Sequence, residues 1–251
     1  MDSADELIHF DTPNGVFWTR KHDFVNAQLR DLGGHQLSEL GLMRSLSKEG
    51  DVILDVGAHI GTFCIPMAKH VGASGRVYAF EPTPESYRIL NKNIEANGLE
   101  TQALATNALI SDREDDYSVH YPSDHTSAAY FVPLGESESS SKTPGDGSVD
   151  VSTIHLDSWG LSGETALERL DVLKVDTEGM ELGVLRSASA LIERFQPVIM
   201  AEISNAHLAR AGDSARDVGK FLKKRGYRFY RNLRPRHAPN EDFEFARIWN
   251  P

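Results

Sequence analysis

Residues 51–62, Asp51-Val-Ile-Leu-Asp-Val-Gly-Ala-His-Ile-Gly-Thr62, constrain this chain more than any other stretch. An apolar run carrying an acid near its end opens into a turn with glycines at 57 and 61. A second apolar run follows and ends on another acid, Arg76-Val-Tyr-Ala-Phe-Glu81. Strand, tight turn, helix and acid-tipped strand in that order make a βαβ unit. Such units build sheets of parallel strands covered by helices on both faces. Ligands of these sheets sit outside the carboxyl ends of the strands.

The same alternation runs through most of the chain. Leu7–Phe10 and Val16–Thr19 flank Pro13-Asn14-Gly15 and predict a hairpin. Residues 36–47 carry Leu37, Leu40, Met43 and Leu46 at helical spacing. Strands are predicted at 52–56, 77–80, 102–110, 172–175 and 198–201. Helices are predicted at 61–71, 84–97, 181–194 and 214–225. The last two runs, 227–231 and 243–249, are separated by a short stretch containing Pro235 and Pro239. No helix fits there, so they predict an antiparallel pair at the sheet edge. The expected fold is α/β: a mostly parallel sheet, an antiparallel C-terminal strand pair, and an N-terminal hairpin and helix over residues 1–50. One domain is the expectation for a chain of 251 residues. A polar insertion at 112–148 interrupts the pattern. It ends in a Ser-rich surface loop, and the insertion as a whole reads as a lid.

The turn discriminates among nucleotides. A dinucleotide fingerprint needs Gly-x-Gly-x-x-Gly so that the backbone can close on a pyrophosphate. Here His59 stands where the middle glycine belongs, and no Lys-Ser/Thr pair serves a triphosphate. Asp55-x-Gly57-x-His59-x-Gly61 suits a ligand without a pyrophosphate, such as S-adenosylmethionine. Charge points away from nucleic acid: the net charge is −11, and phosphate-tracking proteins need a basic footprint. The single cysteine, Cys64, excludes an intramolecular disulfide framework and fits a reducing, cytoplasmic setting. It reads as a small buried apolar residue. No apolar run reaches the length of a membrane span, and the acidic N-terminus does not read as a secretory signal.

Four segments carry a family resemblance: Leu54-Asp-Val-Gly-Ala-His-Ile-Gly-Thr-Phe63, Ala79-Phe-Glu-Pro82, Asn107-Ala-Leu-Ile-Ser-Asp112 and Leu173-Lys-Val-Asp-Thr-Glu-Gly-Met-Glu181. Together they resemble the FkbM family of class I S-adenosylmethionine-dependent methyltransferases. The last run resembles that family's Lys-Ile-Asp-x-Glu-Gly-x-Glu signature. His59 departs from the family, which more often carries Asn there. The resemblance covers about residues 36–251. It implies methyl transfer, usually to oxygen, on sugars, lipids, peptides or secondary metabolites.

Cofactor contacts are expected from Glu39, Asp55, Gly57, His59, Gly61, Thr62, Glu81, Pro82, Asn107, Ala108 and Asp176. The glycines let the turn approach the ligand, and amides at the helix start can receive its carboxylate. Glu81 offers two oxygens to a vicinal diol. Asp55 either faces the cofactor's amino group or holds the turn through backbone amides. Asn107 either reads adenine or stabilises a turn. Glu39 either reaches the cofactor or is a helix-surface charge.

Asp176, Glu202 and His207 are the candidate catalytic residues for a small-molecule acceptor. Asp176 and Glu202 are expected at the ends of neighbouring strands. There they can act as an acid/base pair or hold Mg²⁺ that orients the acceptor hydroxyl. His207 is a candidate general base, and His125 a candidate cap on the acceptor pocket. Glu181 suits the helix dipole without any catalytic role, while for Glu178 that reading and a functional one stand equally open. Competing classes are an N-methyltransferase, a nicotinamide oxidoreductase and a non-catalytic binding protein. The hairpin can also serve as a homodimer contact.

Overall fold

The computed structural model describes residues 6–113, 117–121, 130–133, 147–231 and 244–249. The chain divides into two compact units, Met1–Leu109 with Asp115–Thr153, and Ile110–Glu114 with Ile154–Pro251. Among the described residues, no helix is long and apolar enough to cross a membrane.

The first unit opens with the expected hairpin, β1 (Leu7–Thr12) and β2 (Gly15–Arg20), paired antiparallel. Helix α1 (Val25–Leu32) follows; the sequence reading did not anticipate it. Helix α2 (Leu37–Leu46) occupies the predicted place. The βαβ core is then built from β3 (Val52–Val56), α3 (Cys64–Val71), β4 (Arg76–Phe80), α4 (Pro84–Ala96) and β5 (Ala103–Thr106). Strands β3, β4 and β5 pair in parallel. Ile53, Leu54, Val77 and Ala79 are wholly buried, as are Cys64, Ile65, Met67 and Val71 on α3. Pro66 sits in the first turn of α3, where a missing amide costs no helical hydrogen bond.

The single third strand predicted over 102–110 is two, β5 and the short β6 (Leu109–Ile110), broken at Asn107 and Ala108. The Asn107 side chain holds the break open. Its Nδ2 donates to the carbonyls of Glu81 (2.8 Å) and Pro82 (2.9 Å). Most of the polar insertion, including His125 and the Ser-rich tip, lies outside the described residues. Its described parts are strands: β7 (Tyr117–Tyr121) pairs antiparallel with β8 (Tyr130–Pro133) and β9 (Gly147–Val151). Tyr117, Val119 and His120 are buried on β7.

Beyond β10 (Thr153–Ile154), the second unit contains α5 (Leu156–Leu161), β11 (Val172–Val175), α6 (Glu181–Ser187), α7 (Ser189–Phe195), β12 (Val198–Ile203), α8 (Asn205–Leu208), α9 (Ala215–Lys223), β13 (Arg228–Arg231) and β14 (Glu244–Trp249). One helix was predicted over 181–194. It is interrupted at Ala188, whose backbone leaves helical geometry at φ −104°, ψ 17°. Strands β11 and β12 are parallel neighbours. The predicted C-terminal pair is present, with β13 and β14 antiparallel, and β14 also lies antiparallel to β12.

Candidate active site

In the first unit the chain turns sharply after β3. The amides of Gly57 and Ala58 both donate to the Phe80 carbonyl at the end of β4, each at 3.0 Å. Three residues of the turn adopt positive φ: Gly57 (81°), His59 (50°) and Gly61 (91°). At Gly61 the conformation selects glycine, and a Cβ there would also have to displace Leu90 Cδ1, 2.7 Å away. The left-handed backbone at His59 explains the departure noted in the sequence. Asn and His are both enriched among non-glycine residues in this region, so one replaces the other without added strain.

Glu81 follows β4 directly and is buried. Its Oε2 accepts the His59 amide at 2.8 Å and its Oε1 accepts the Thr83 amide at 2.9 Å. Burial pushes its pKa up, while the neighbouring His59 ring and these amides pull it down. The carboxylate is thus fixed to the glycine turn, and the Thr83 hydroxyl hydrogen-bonds it as well. Asn107 commits both amide hydrogens to backbone carbonyls, which supports its turn-stabilising reading. Glu39 is not a surface charge: it is buried, and the Ser38 hydroxyl donates to its Oε2 at 2.6 Å. Asp55, Thr62, Pro82 and Ala108 are buried as well.

In the second unit the ends of β11 and β12 gather an acidic group. The register Val175↔Ala201 makes Asp176 and Glu202 the next residues on parallel neighbours, and their carboxyl groups hydrogen-bond each other. Buried Lys174 places its Nζ 3.5 Å from Asp176 Oδ2. The loop between β11 and α6 is shaped by Glu181, whose Oε1 accepts the Thr177 amide and hydroxyl and the Gly179 amide at 3.0–3.2 Å. Glu181 therefore organises this loop besides meeting the α6 dipole. Glu178 sits at φ 52°, a strained conformation for a side-chain-bearing residue. Gly179 (φ 117°) packs against the His207 carbonyl, where a Cβ would stand 2.5 Å from the oxygen. That close approach brings His207 Nδ1 to 2.8 Å from Glu178 Oε2. His207 lies in α8, which is capped by Ser204, and not in a solvent-facing loop.

A model of the methyltransferase FkbM domain matches residues 55–229. The chain belongs to the FkbM methyltransferase family. Methyltransferase sdnD of Sordaria araneosa is 29% identical over 153 residues, which are 53% of this chain and 59% of that protein. A tRNA (guanine(37)-N(1))-methyltransferase of Batrachochytrium dendrobatidis is 41% identical over 59 residues, 24% of this chain and 12% of that protein. The matches to these curated relatives thus span 59% or less of the relatives' length. The solved structure of methyltransferase FkbM from Methylobacillus flagellatus KT superposes with a TM-score of 0.52 at 14% identity, covering 81% of this chain and 45% of that one. At that identity the likeness is one of fold.

Within this FkbM domain the acidic group holds more carboxylates than its cations balance. Burial and the charge of Asp176 push Glu178 up to about 8. Burial and Asp176 likewise raise Glu202 far above the carboxylate range, and burial raises Glu181. Burial, with nearby Arg210, lowers His207. Both partners of the short Glu178–His207 contact therefore move toward their neutral forms. At neutral pH the contact is best described as a protonated carboxyl donating to a neutral imidazole, not as an ion pair. Among the described residues, no three His, Cys, Asp or Glu are arranged to hold a metal ion. The Mg²⁺ reading of Asp176 and Glu202 has no geometric support.

Stability should follow this excess of protons. A carboxyl whose folded pKa is raised stabilises the fold fully below its unfolded value, near 4.5. The contribution is lost as pH rises through the folded value, here about 8 for Glu178. We expect thermal stability to fall between pH 5 and pH 8.5. Glu178→Gln keeps the neutral form at every pH and should recover on the order of 3 kcal/mol of that loss. Denaturant titrations at both pH values check this, and parallel wild-type and variant curves would refute it.

Three residues with a bearing on the site escaped the sequence reading. Lys174 had a signal, being a lysine inside an otherwise apolar strand, Val172–Val175. Asp23 and Asn93 had none, because their partners are distant in sequence.

Proposed function

We propose that this FkbM domain is an S-adenosylmethionine-dependent methyltransferase acting on a hydroxyl group of a small-molecule acceptor. The observation that carries the reading is the buried Glu81 carboxylate, pinned at a strand end by the His59 and Thr83 amides. A carboxylate held at this strand end suits the hydroxyls of a ribose. Positive-φ backbone at Gly57 and Gly61 lets the turn approach a ligand closely, and Asp55, His59, Thr62, Pro82 and Ala108 complete that end of the first unit. The names of the sdnD relative and of the Methylobacillus flagellatus protein support methyl transfer.

When bound, the cofactor supplies an electrophilic sulfonium methyl group, whose displacement demands alignment of donor and acceptor. This chain's own residues then have two tasks. Glu81 and the glycine turn fix the adenosine half. Asp176, Glu202 and His207 are the residues proposed to receive the acceptor hydroxyl and its proton. Once Glu178 is ionised, above about 8, Nδ1–H of neutral His207 donates to its carboxylate, and Nε2 is the nitrogen that takes that proton as the oxygen–carbon bond forms. Asp176 and Glu202, which share a hydrogen bond, orient the hydroxyl. An amine acceptor needs less help with its proton, so loss of His207 separates oxygen from nitrogen methylation.

Calorimetric titration with S-adenosylhomocysteine and NAD⁺ tests the cofactor. Micromolar affinity for the first, on the order of −8 kcal/mol, and none for the second is the expected result. Binding of NAD⁺, or of neither, overturns the proposal. A screen of paired hydroxyl and amine acceptors with methyl-labelled S-adenosylmethionine then tests the acceptor class. His207→Ala should lower turnover on a hydroxyl about 100-fold or more.

A further inference from the structure

The N-terminal hairpin is joined to the glycine turn through helix α4. Asn93 and Asn97 stand one turn apart on α4 and treat the edge of β2 as a strand partner would. Asn97 Oδ1 accepts the Val16 amide at 3.0 Å, and its Nδ2 donates to the Val16 carbonyl at 2.8 Å. Asn93 Oδ1 accepts the Trp18 amide at 2.6 Å, and its Nδ2 donates to the Trp18 carbonyl at 3.1 Å. Arg20, the next residue on this edge, pairs with Glu85 near the start of α4. Residues 16, 18 and 20 alternate on one edge of the strand, so three side chains of one helix line that edge.

The two asparagines differ in one respect. Asn93 is wholly buried, and its Nδ2 also donates to the Ile60 carbonyl, inside the glycine turn, at 2.7 Å. Asn97 instead donates to the Asn93 carbonyl within the helix, at 2.8 Å. A second tie comes from the segment leaving the hairpin. Asp23 Oδ1 accepts the Val25 amide at 3.0 Å just ahead of α1, and its Oδ2 lies 4.0 Å from His59 Nε2. Ile60 and His59 are neighbours in the turn, and the His59 amide is the one that Glu81 holds.

We infer that Asn93 and Asp23 are positioning residues for the cofactor turn: their direct contacts to Ile60 and His59, and not hairpin docking as such, hold the binding-competent shape of residues 57–62. The turn needs such support. His59 holds a left-handed backbone that an isolated segment populates sparsely, and such geometry persists only where its surroundings over-determine it. Here the surroundings are Glu81 on one side, and Asn93 and Asp23 on the other. A buried polar group bonded to two segments at once couples them, because moving either leaves a buried amide or carbonyl unpaired.

The inference rests on the cofactor reading of the turn only for its effect on ligand affinity, so two measurements are needed. Hydrogen exchange is followed at the amides of residues 57–62 in the ligand-free protein, for wild type, Asn93→Ala, Asp23→Asn and Asn97→Ala. S-adenosylhomocysteine titrations are run on the same proteins, below their melting temperatures. Asn93→Ala should speed exchange in the turn at least tenfold and weaken S-adenosylhomocysteine at least tenfold. Asp23→Asn should shift both in the same direction by a smaller factor. Asn97→Ala, which loosens the same hairpin without touching the turn, should lower the melting temperature and leave turn exchange and affinity within twofold of wild type. If Asn93→Ala and Asn97→Ala behave alike, or turn exchange in Asn93→Ala matches wild type, the inference is wrong. If turn exchange responds as described while wild type binds no S-adenosylhomocysteine, the coupling stands and the cofactor reading falls.

Discussion

Glu81→Ala is expected to remove measurable S-adenosylhomocysteine binding while leaving a folded protein. Two effects add in the same variant. The ribose hydroxyls lose charge-assisted hydrogen bonds, each worth about 1.5–3 kcal/mol. The turn also loses the carboxylate that holds the His59 amide at 2.8 Å. Together these predict an affinity loss of several hundredfold or more, about 3–5 kcal/mol. Stability responds differently. Burial has raised the Glu81 pKa, so the native protein already bears a desolvation cost for this charge. Removing it relieves that cost while stranding the His59 and Thr83 amides, and the melting temperature should move less than the affinity. Calorimetry and a thermal scan on the same sample separate the two. Affinity within threefold of wild type would remove Glu81 from the cofactor site.

The contrast between Glu81 and its neighbours shows what a sequence discloses in this fold. Strands β3 and β11 have the bounds read from their apolar runs, because strands buried on both faces read as near-continuous apolar runs, interrupted here by Asp55 and Lys174. Asp55 near the end of β3 and Asp176 just after β11, together with the glycine spacing, pointed to the loops proposed here as the site. Helix α1 was missed because Val-Asn-Ala-Gln-Leu-Arg-Asp-Leu buries only Val25, Asn26 and Leu29, too few to stand out as a periodic stripe. The break after β5 depends on Asn107 reaching carbonyls at 81 and 82, a contact that no local pattern encodes. Glu39 was left between a cofactor contact and a helix-surface charge, the second on the frequency with which glutamates are exposed, and tertiary packing buries it. The part of the site that was illegible is the part made by pairing across long sequence separations: Asp23 with His59, Asn93 with Ile60, and Glu178 with His207.

Lys174→Met is expected to have the largest effect on stability. The side chain is buried at the centre of β11, with Nζ 3.5 Å from Asp176 Oδ2. Methionine fills similar volume, so packing changes little and the effect is electrostatic. Asp176 would lose a buried cation while Glu202 still crowds it and Glu178 and Glu181 lie nearby, since the charge of Asp176 is felt by all three. Breaking a buried pair by removing one partner costs about 3–5 kcal/mol, because the other charge stays behind. The sign of the pH dependence follows from the remaining acids. As pH falls from 8.5 toward 5 the cluster takes up protons and the uncompensated charge shrinks, so the deficit of the variant should shrink with it. Denaturant titrations of wild type and variant across that range test this directly. A deficit that grows toward low pH, or one below about 1 kcal/mol at pH 8.5, would mean that Lys174 does not neutralise this group. The double variant Lys174→Met, Asp176→Asn adds an internal check. If the two side chains act as a pair, removing both should cost less than removing the lysine alone, and the recovered stability measures their coupling.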